Sequence, residues 1–276
     1  MDAAIREYFA SLDVYDEDAE QSPTRNEIDA LQSLILGNLS SDEAATIITR
    51  RAAAATDEFT MRLRRSLLYA VVNQTAVVLP PAQAPIVDLL KSIRVLHSRE
   101  DASAHSRQVW ANLDGWMVKL ADSLEIYEGS FLRITDDDGQ AARNWCNAVT
   151  FTARLTATRD PVIGDLIFFR KCFGSIVRAL DIRYSPQART TEPDIIAAAH
   201  LFILSAPVLH ERCQTGDFVG DLWEGAFQGE AVWREDMKKL STGRWEHWKR
   251  RWEVIAEDND LTSEARKLAR EALAAM

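Results

Sequence analysis

The stretch GRWEHWKRRWEV, residues 243–254, interleaves three indoles with four basic side chains. Trp245, Trp248 and Trp252 are spaced three and four apart, so on a helix they share one face. Lys249, Arg250 and Arg251 turn mainly elsewhere, with Glu246 placed to pair with Arg250 and Lys249 with Glu253. The pattern predicts an amphipathic helix that packs an indole stripe into a core. Aromatic and basic residues together can also stack nucleic-acid bases. Indoles facing inward with cations facing water do not make that platform.

Working outward from this helix, the same signals recur almost end to end. Thr24 with Glu27, and Ser40 with Glu43, have the capping-box spacing, and Gly37 follows the last apolar residue of the first of these helices as a stop. A longer helix is predicted over roughly 57–79, ended by Pro80 and Pro81, which cannot continue the hydrogen-bond ladder. The segment APIVDLLKSIRVLHS reads as the next helix, and another is expected through Trp110, Trp116 and Leu120. Further helices are expected at about 138–158, 162–181, 193–213, 242–257 and 262–275, with YSPQARTTEPD as the best linker. Only 11 Gly and 8 Pro in 276 residues, and no alternating β-branched runs, agree with this. The fold class is therefore all-α: a single compact domain, residues 1–276, of roughly ten or more helices with no sheet. Residues 1–64 form N-terminal helices and 65–276 the main helical body.

Charge and composition bound the partners. A balance of 32 Lys and Arg against 42 Asp and Glu leaves a net charge of −10, which repels a phosphate backbone, so no nucleic acid is expected. The beginning, MDAAIREYFASLD, lacks the basic-then-apolar pattern of a secretory signal. The most apolar segment, AAAHLFILSAPVL, is short, contains a proline and is bounded by charged residues, so no membrane span is expected. Cys146, Cys172 and Cys213 are widely spaced and odd in number, which reads as free buried thiols in a reducing, cytoplasmic compartment.

Most chemistry-bearing patterns fail on inspection. Holding a diphosphate through several magnesium ions requires carboxylates a turn apart. Asp136, Asp137 and Asp138 run instead into Gly139, Gln140 and Ala141, and the stretch NDLTSEARK ends on Lys267 where a carboxylate is needed. No two of His97, His105, His200, His210 and His247 have zinc-helix spacing, so no metal is expected. No phosphate-cradling glycine loop or dinucleotide fingerprint occurs, so the expected cofactor is none. One helix is less bland. In RNWCNAVTFTARLTATRD, Asn144, Asn147, Phe151, Arg154, Leu155 and Thr158 share a face that mixes an aromatic ring, two amides and a guanidinium. Such a face either satisfies its polar groups internally or lines a cavity and offers donors to a carbonyl or carboxylate.

From about residue 65 onward the chain resembles a fungal family known as domain of unknown function 3632. The resemblance is carried by Trp145, Asn147, Phe151, Ala153, Arg154 and Leu155, by LWEG at 222–225, by GRWEHWKRRW with Arg244, Trp245 and Trp248, and by the Ala-rich tail to Met276. It implies an all-helical, cytoplasmic protein with no assigned activity. Orphan families of this kind also supply cofactor-free cyclases and isomerases of secondary metabolism, of the pericyclase or Diels-Alderase type. By that analogy the substrate is a small apolar polyene or terpenoid, held as a reactive conformer. Arg154 and Asn147 become the catalytic donors to a developing charge, with Asn144, Trp145, Phe151, His200 and Trp223 as substrate contacts. The alternative is a non-catalytic helical binding or scaffold protein, and a homodimer is compatible with either.

Overall fold

A computed structural model describes residues 2–12, 23–54, 57–98, 107–133, 139–164, 172–183, 191–217, 230–231 and 238–276. The chain divides into two compact units, 1–123 and 124–276. The expected subdivision near residue 64 falls inside a helix, because Glu58–Val78 is continuous.

In unit 1, α1 (Asp2–Ser11), α2 (Arg25–Ile35), α3 (Ser41–Ala53), α4 (Glu58–Val78) and α5 (Gln83–His97) pack around Ile28, Leu31, Ile48, Ile86 and Leu90. Both expected capping boxes form. Thr24 N donates to Glu27 Oε2 at 2.8 Å, and Ser40 N donates to Glu43 Oε2 at 2.9 Å. Gly37, at φ +74°, takes the left-handed turn that closes α2. Pro80 and Pro81 end α4 and open a single 3₁₀ turn into α5.

The expected helix through Trp110, Trp116 and Leu120 is not continuous. A π-turn over Arg107–Ala111 is followed by Leu113 at φ +47° and Gly115 at φ +81°, and only then does α6 (Trp116–Arg133) begin. Two left-handed residues so close together cannot belong to one α-helix. Tyr69 of α4 meets the two indoles edge-on, with centroids 6.4 Å from Trp110 and 5.4 Å from Trp116.

Unit 2 holds the later part of α6 with α7 (Gln140–Ala157), a helical segment ending in a π-turn over Val177–Asp181, α8 (Thr191–Thr215), α9 (Thr242–Glu257) and α10 (Ser263–Ala275). Helix α8 is the centre, packed against α7, α9 and α10. It is kinked at Ser205, where φ is −130°, two residues before Pro207. Proline has no N–H for the carbonyl four residues back and its ring crowds that carbonyl. By length and composition 192–215 is apolar enough to cross a bilayer, and 61% of that window is buried inside the chain.

The opening stretch forms α9 as expected, and its stripe is core. Trp245, Trp248 and Trp252 are buried and all three meet Phe202 of α8, at centroid distances of 5.8, 5.4 and 5.6 Å, Trp245 tilted and the other two edge-on. Lys249 reaches back to Glu246 at 3.3 Å, where the sequence suggests Glu253 on the following turn. Ala265, Ala269 and Ala272 are the buried positions of α10, small enough for close approach to α8 and α9. Among the described residues the extended pairing is a two-residue antiparallel bridge, Ile182 with Ala231 and Arg183 with Glu230, too short to make a layer. The all-α class stands.

Candidate functional site

Helix α7 places the residues singled out in the sequence along the edge of a buried stripe. Trp145, Phe151 and Leu155 are fully buried, while Asn144, Asn147, Arg154 and Thr158 are half-buried beside them. Asn144 Oδ1 accepts from Gln140 Nε2 at 2.7 Å, so one of the two amides is engaged within its own helix. Trp145 spends its only donor on Ser175 Oγ at 3.0 Å and stacks on Phe131. The C-terminal end of α7 is pinned by the loop after it. Asp160 Oδ1 accepts from the N–H groups of Val162 and Ile163 at 2.8 and 3.0 Å. Gly164 lies so close that a Cβ there would sit 2.6 Å from the Leu155 carbonyl oxygen. Trp223, the acidic triplet 136–138 and LWEG lie outside the described residues.

Unit 2 holds two buried ion networks, both anchored in the π-turn 177–181, and the first reaches this helix through Ser175 and Trp145. In the first, Arg178 donates to Asp194 at 2.9 Å, to Glu128 at 3.1 Å and to Ser175 at 3.4 Å. Gly174 leaves room for it, since a Cβ would stand 3.0 Å from Arg178 Nη1 and 3.2 Å from Glu128 Oε1. Burial pushes the Asp194 carboxyl up to about 6, with Arg178 and Ser175 pulling it back. In the second, Arg244 donates through Nε and Nη2 to Asp181 Oδ2 at 3.2 and 2.6 Å, and Trp248 Nε1 donates to Asp181 Oδ1 at 2.9 Å. Arg244 also lies over the Phe173 ring at 4.8 Å. Burial raises the Asp181 carboxyl, opposed by Arg244 and then Trp248. Both guanidiniums are held by carboxylates inside the core, which is the arrangement buried charge requires. The sequence carried a signal for Arg244, which stands four residues before Trp248 on the same helix face.

A different kind of cluster forms where α7, α8 and α10 meet. His200 of α8 is half-buried, and its pKa is lowered first by burial and then by the Arg154 guanidinium of α7. Glu264 and Glu271 of α10 oppose that shift. The imidazole is thereby biased toward its neutral form, within the field of a guanidinium on α7 and two carboxylates on α10. The Arg154 charge thus acts on His200 across α7 and α8, whereas Trp145 and Phe151 lie closed in the core. Among the described residues no group of three or more His, Cys, Asp and Glu is arranged to hold a metal. Cys146 is half-buried, Cys172 and Cys213 are buried, and all three are free, with burial pushing each thiol up to about 12. Thiols held protonated in this way are poor nucleophiles.

These features define an all-α protein in which Arg178 and Arg244 carry buried charge in unit 2. More particularly, the chain belongs to the family described as Protein of unknown function (DUF3632), whose model matches residues 66–252. No curated protein and no solved structure matches the chain.

Proposed function

We propose that unit 2 carries a cofactor-independent isomerase- or cyclase-type site acting on a conjugated carbonyl compound of secondary metabolism. The observation that carries the reading is half-buried His200, biased toward its neutral form, with Arg154 and the carboxylates of α10 acting on it electrostatically. Arg154 donates to the substrate oxygen as negative charge develops there, with Asn147, about two turns earlier on the same helix, as a second donor. His200, unprotonated, accepts a proton from the carbon next to the carbonyl and returns it at another carbon, so the double bond moves and no electrons leave the system. Ring closure of a polyene needs only the first of these contacts, together with a folded conformer. On this reading α8 is a core helix and the protein is cytoplasmic.

The test is to express the protein beside the biosynthetic enzymes encoded near it and compare products with and without it. A changed isomer or ring stereochemistry supports the reading, and identical products formed at identical rates end it. Arg154→Met and His200→Ala, each verified as folded, are expected to lose the effect. Because the His200 pKa is depressed, the active neutral form persists below pH 6.5 and activity falls only on further acidification. A profile that falls above pH 6.5 contradicts the role given to His200.

The second reading is a non-catalytic binding protein. It is favoured by the burial of Trp145 and Phe151, which leaves the aromatic part of the α7 face engaged with protein. Saturable ligand binding with no turnover distinguishes it.

A further inference from the structure

Unit 1 contains an open cleft of about 470 Å³ between α4 and the start of α6, lined by Arg62, Arg65, Tyr69, Asp114, Val118 and Lys119 among others. Its floor is unusual. Arg65 and Tyr69 are 3% and 1% exposed, yet Arg65 Nη1 and Tyr69 Oη have no hydrogen-bond partner among the described residues. Along the same face of α4, one turn further on, the fully buried Asn73 amide is equally unmatched, as is Nε1 of Trp110 behind Tyr69. Buried polar groups are rarely left unsatisfied, because each costs on the order of 1–3 kcal/mol. A row of them at i, i+4 and i+8, opening at one end into a cleft, points to an occupant.

The floor and rim define what that occupant is. Arg65 Nη2 is held by Asp114 at 2.7 Å, while Nη1 is left over. Arg62 and Lys119 stand at the rim, each with an exposed acidic neighbour outside the cleft lining, Glu58 at 2.8 Å and Asp122 at 3.6 Å. The lining holds three cations and the single carboxylate of Asp114, with the carboxylates that balance Arg62 and Lys119 standing outside it, so the cleft itself presents N–H donors. The first turn of α6, beginning after left-handed Gly115, adds the positive end of a helix. A planar guanidinium edge beside a phenol hydroxyl matches a planar carboxylate, while the Tyr69 ring and Val118 offer an apolar wall to the rest of a ligand.

We propose that this cleft binds a small organic acid, its carboxylate held by Arg65 Nη1 and Tyr69 Oη and its apolar body against Tyr69 and Val118. The site belongs to unit 1 and does not depend on the function assigned to Arg154 and His200.

Sodium benzoate and sodium hexanoate are the probes, with benzamide, hexanamide and inorganic phosphate as controls, at constant ionic strength on the full chain. Calorimetric titration up to about 10 mM covers millimolar and tighter sites. The carboxylates are expected to bind and the amides and phosphate to bind at least tenfold more weakly. Tyr69→Phe removes only an unpartnered hydroxyl, so thermal stability stays at or above wild type while carboxylate affinity falls about tenfold, as for a lost hydrogen bond to a charged group. Lys119→Gln lowers it by a smaller factor that shrinks with added salt. Equal affinity for acid and amide, tighter phosphate than carboxylate, no binding of any probe, or carboxylate binding untouched by Tyr69→Phe each overturns the proposal.

Discussion

Arg244 shows how much one buried residue can depend on a distant partner. It is fully buried on the indole face of α9, and its charge is met by Asp181, 63 positions earlier in the chain. Removing one member of such a pair leaves the other as an uncompensated buried ion, which costs about 3–5 kcal/mol. Arg244→Met is therefore expected to destabilise strongly in urea unfolding, as is Asp181→Asn. Because each single change already breaks the network, the double variant should lose clearly less than the two combined. Strict additivity would show that the two residues do not act as a pair. The indole spacing alone puts the cations of this stretch in water, and buried Arg244, on the same face four residues before Trp248, is the exception. Its partner was not legible, because nothing in the local pattern around Asp181 indicates burial or the π-turn that carries it.

At the scale of elements, helix ends were the most readable feature, since capping chemistry is local and lies within four residues of sequence. Ser40 is exposed and its hydroxyl accepts from Glu43 N, so Ser40→Ala tests the cap without disturbing a core. A loss of about 1 kcal/mol in urea unfolding is expected, and no change would mean the box contributes nothing. Helix breaks were harder to read. The π-turn at 107–111 and the left-handed Leu113 depend on how Trp110 and Trp116 both reach Tyr69, and Leu has no intrinsic preference that announces such a conformation. The kink of α8 had its signal in Pro207.

Over the whole molecule, the acidic balance sets how the protein meets polyanions. With a net charge of −10 the chain is expected to pass through a heparin column at low salt without retention. Retention released by salt would reveal a basic surface strong enough to overcome the global field. The division at 123/124 was not legible, because it falls inside the continuous α6 and has no linker, glycine or proline to mark it. Of the expected linker YSPQARTTEPD, 184–190 lies outside the described residues, and 191–194 instead form the first turn of α8.

By itself the sequence determined the helical class, most helix limits and the inward turn of the tryptophan stripe, since spacing, caps and breakers act over one or two turns. The family, too, was readable from the residues of α7 and α9. Tertiary structure alone decided which guanidiniums are buried, that the Arg154 charge acts on His200, and that Arg65 and Tyr69 line a cleft. Those outcomes rest on charges and rings brought together from positions tens of residues apart, where burial and not local propensity sets the energy.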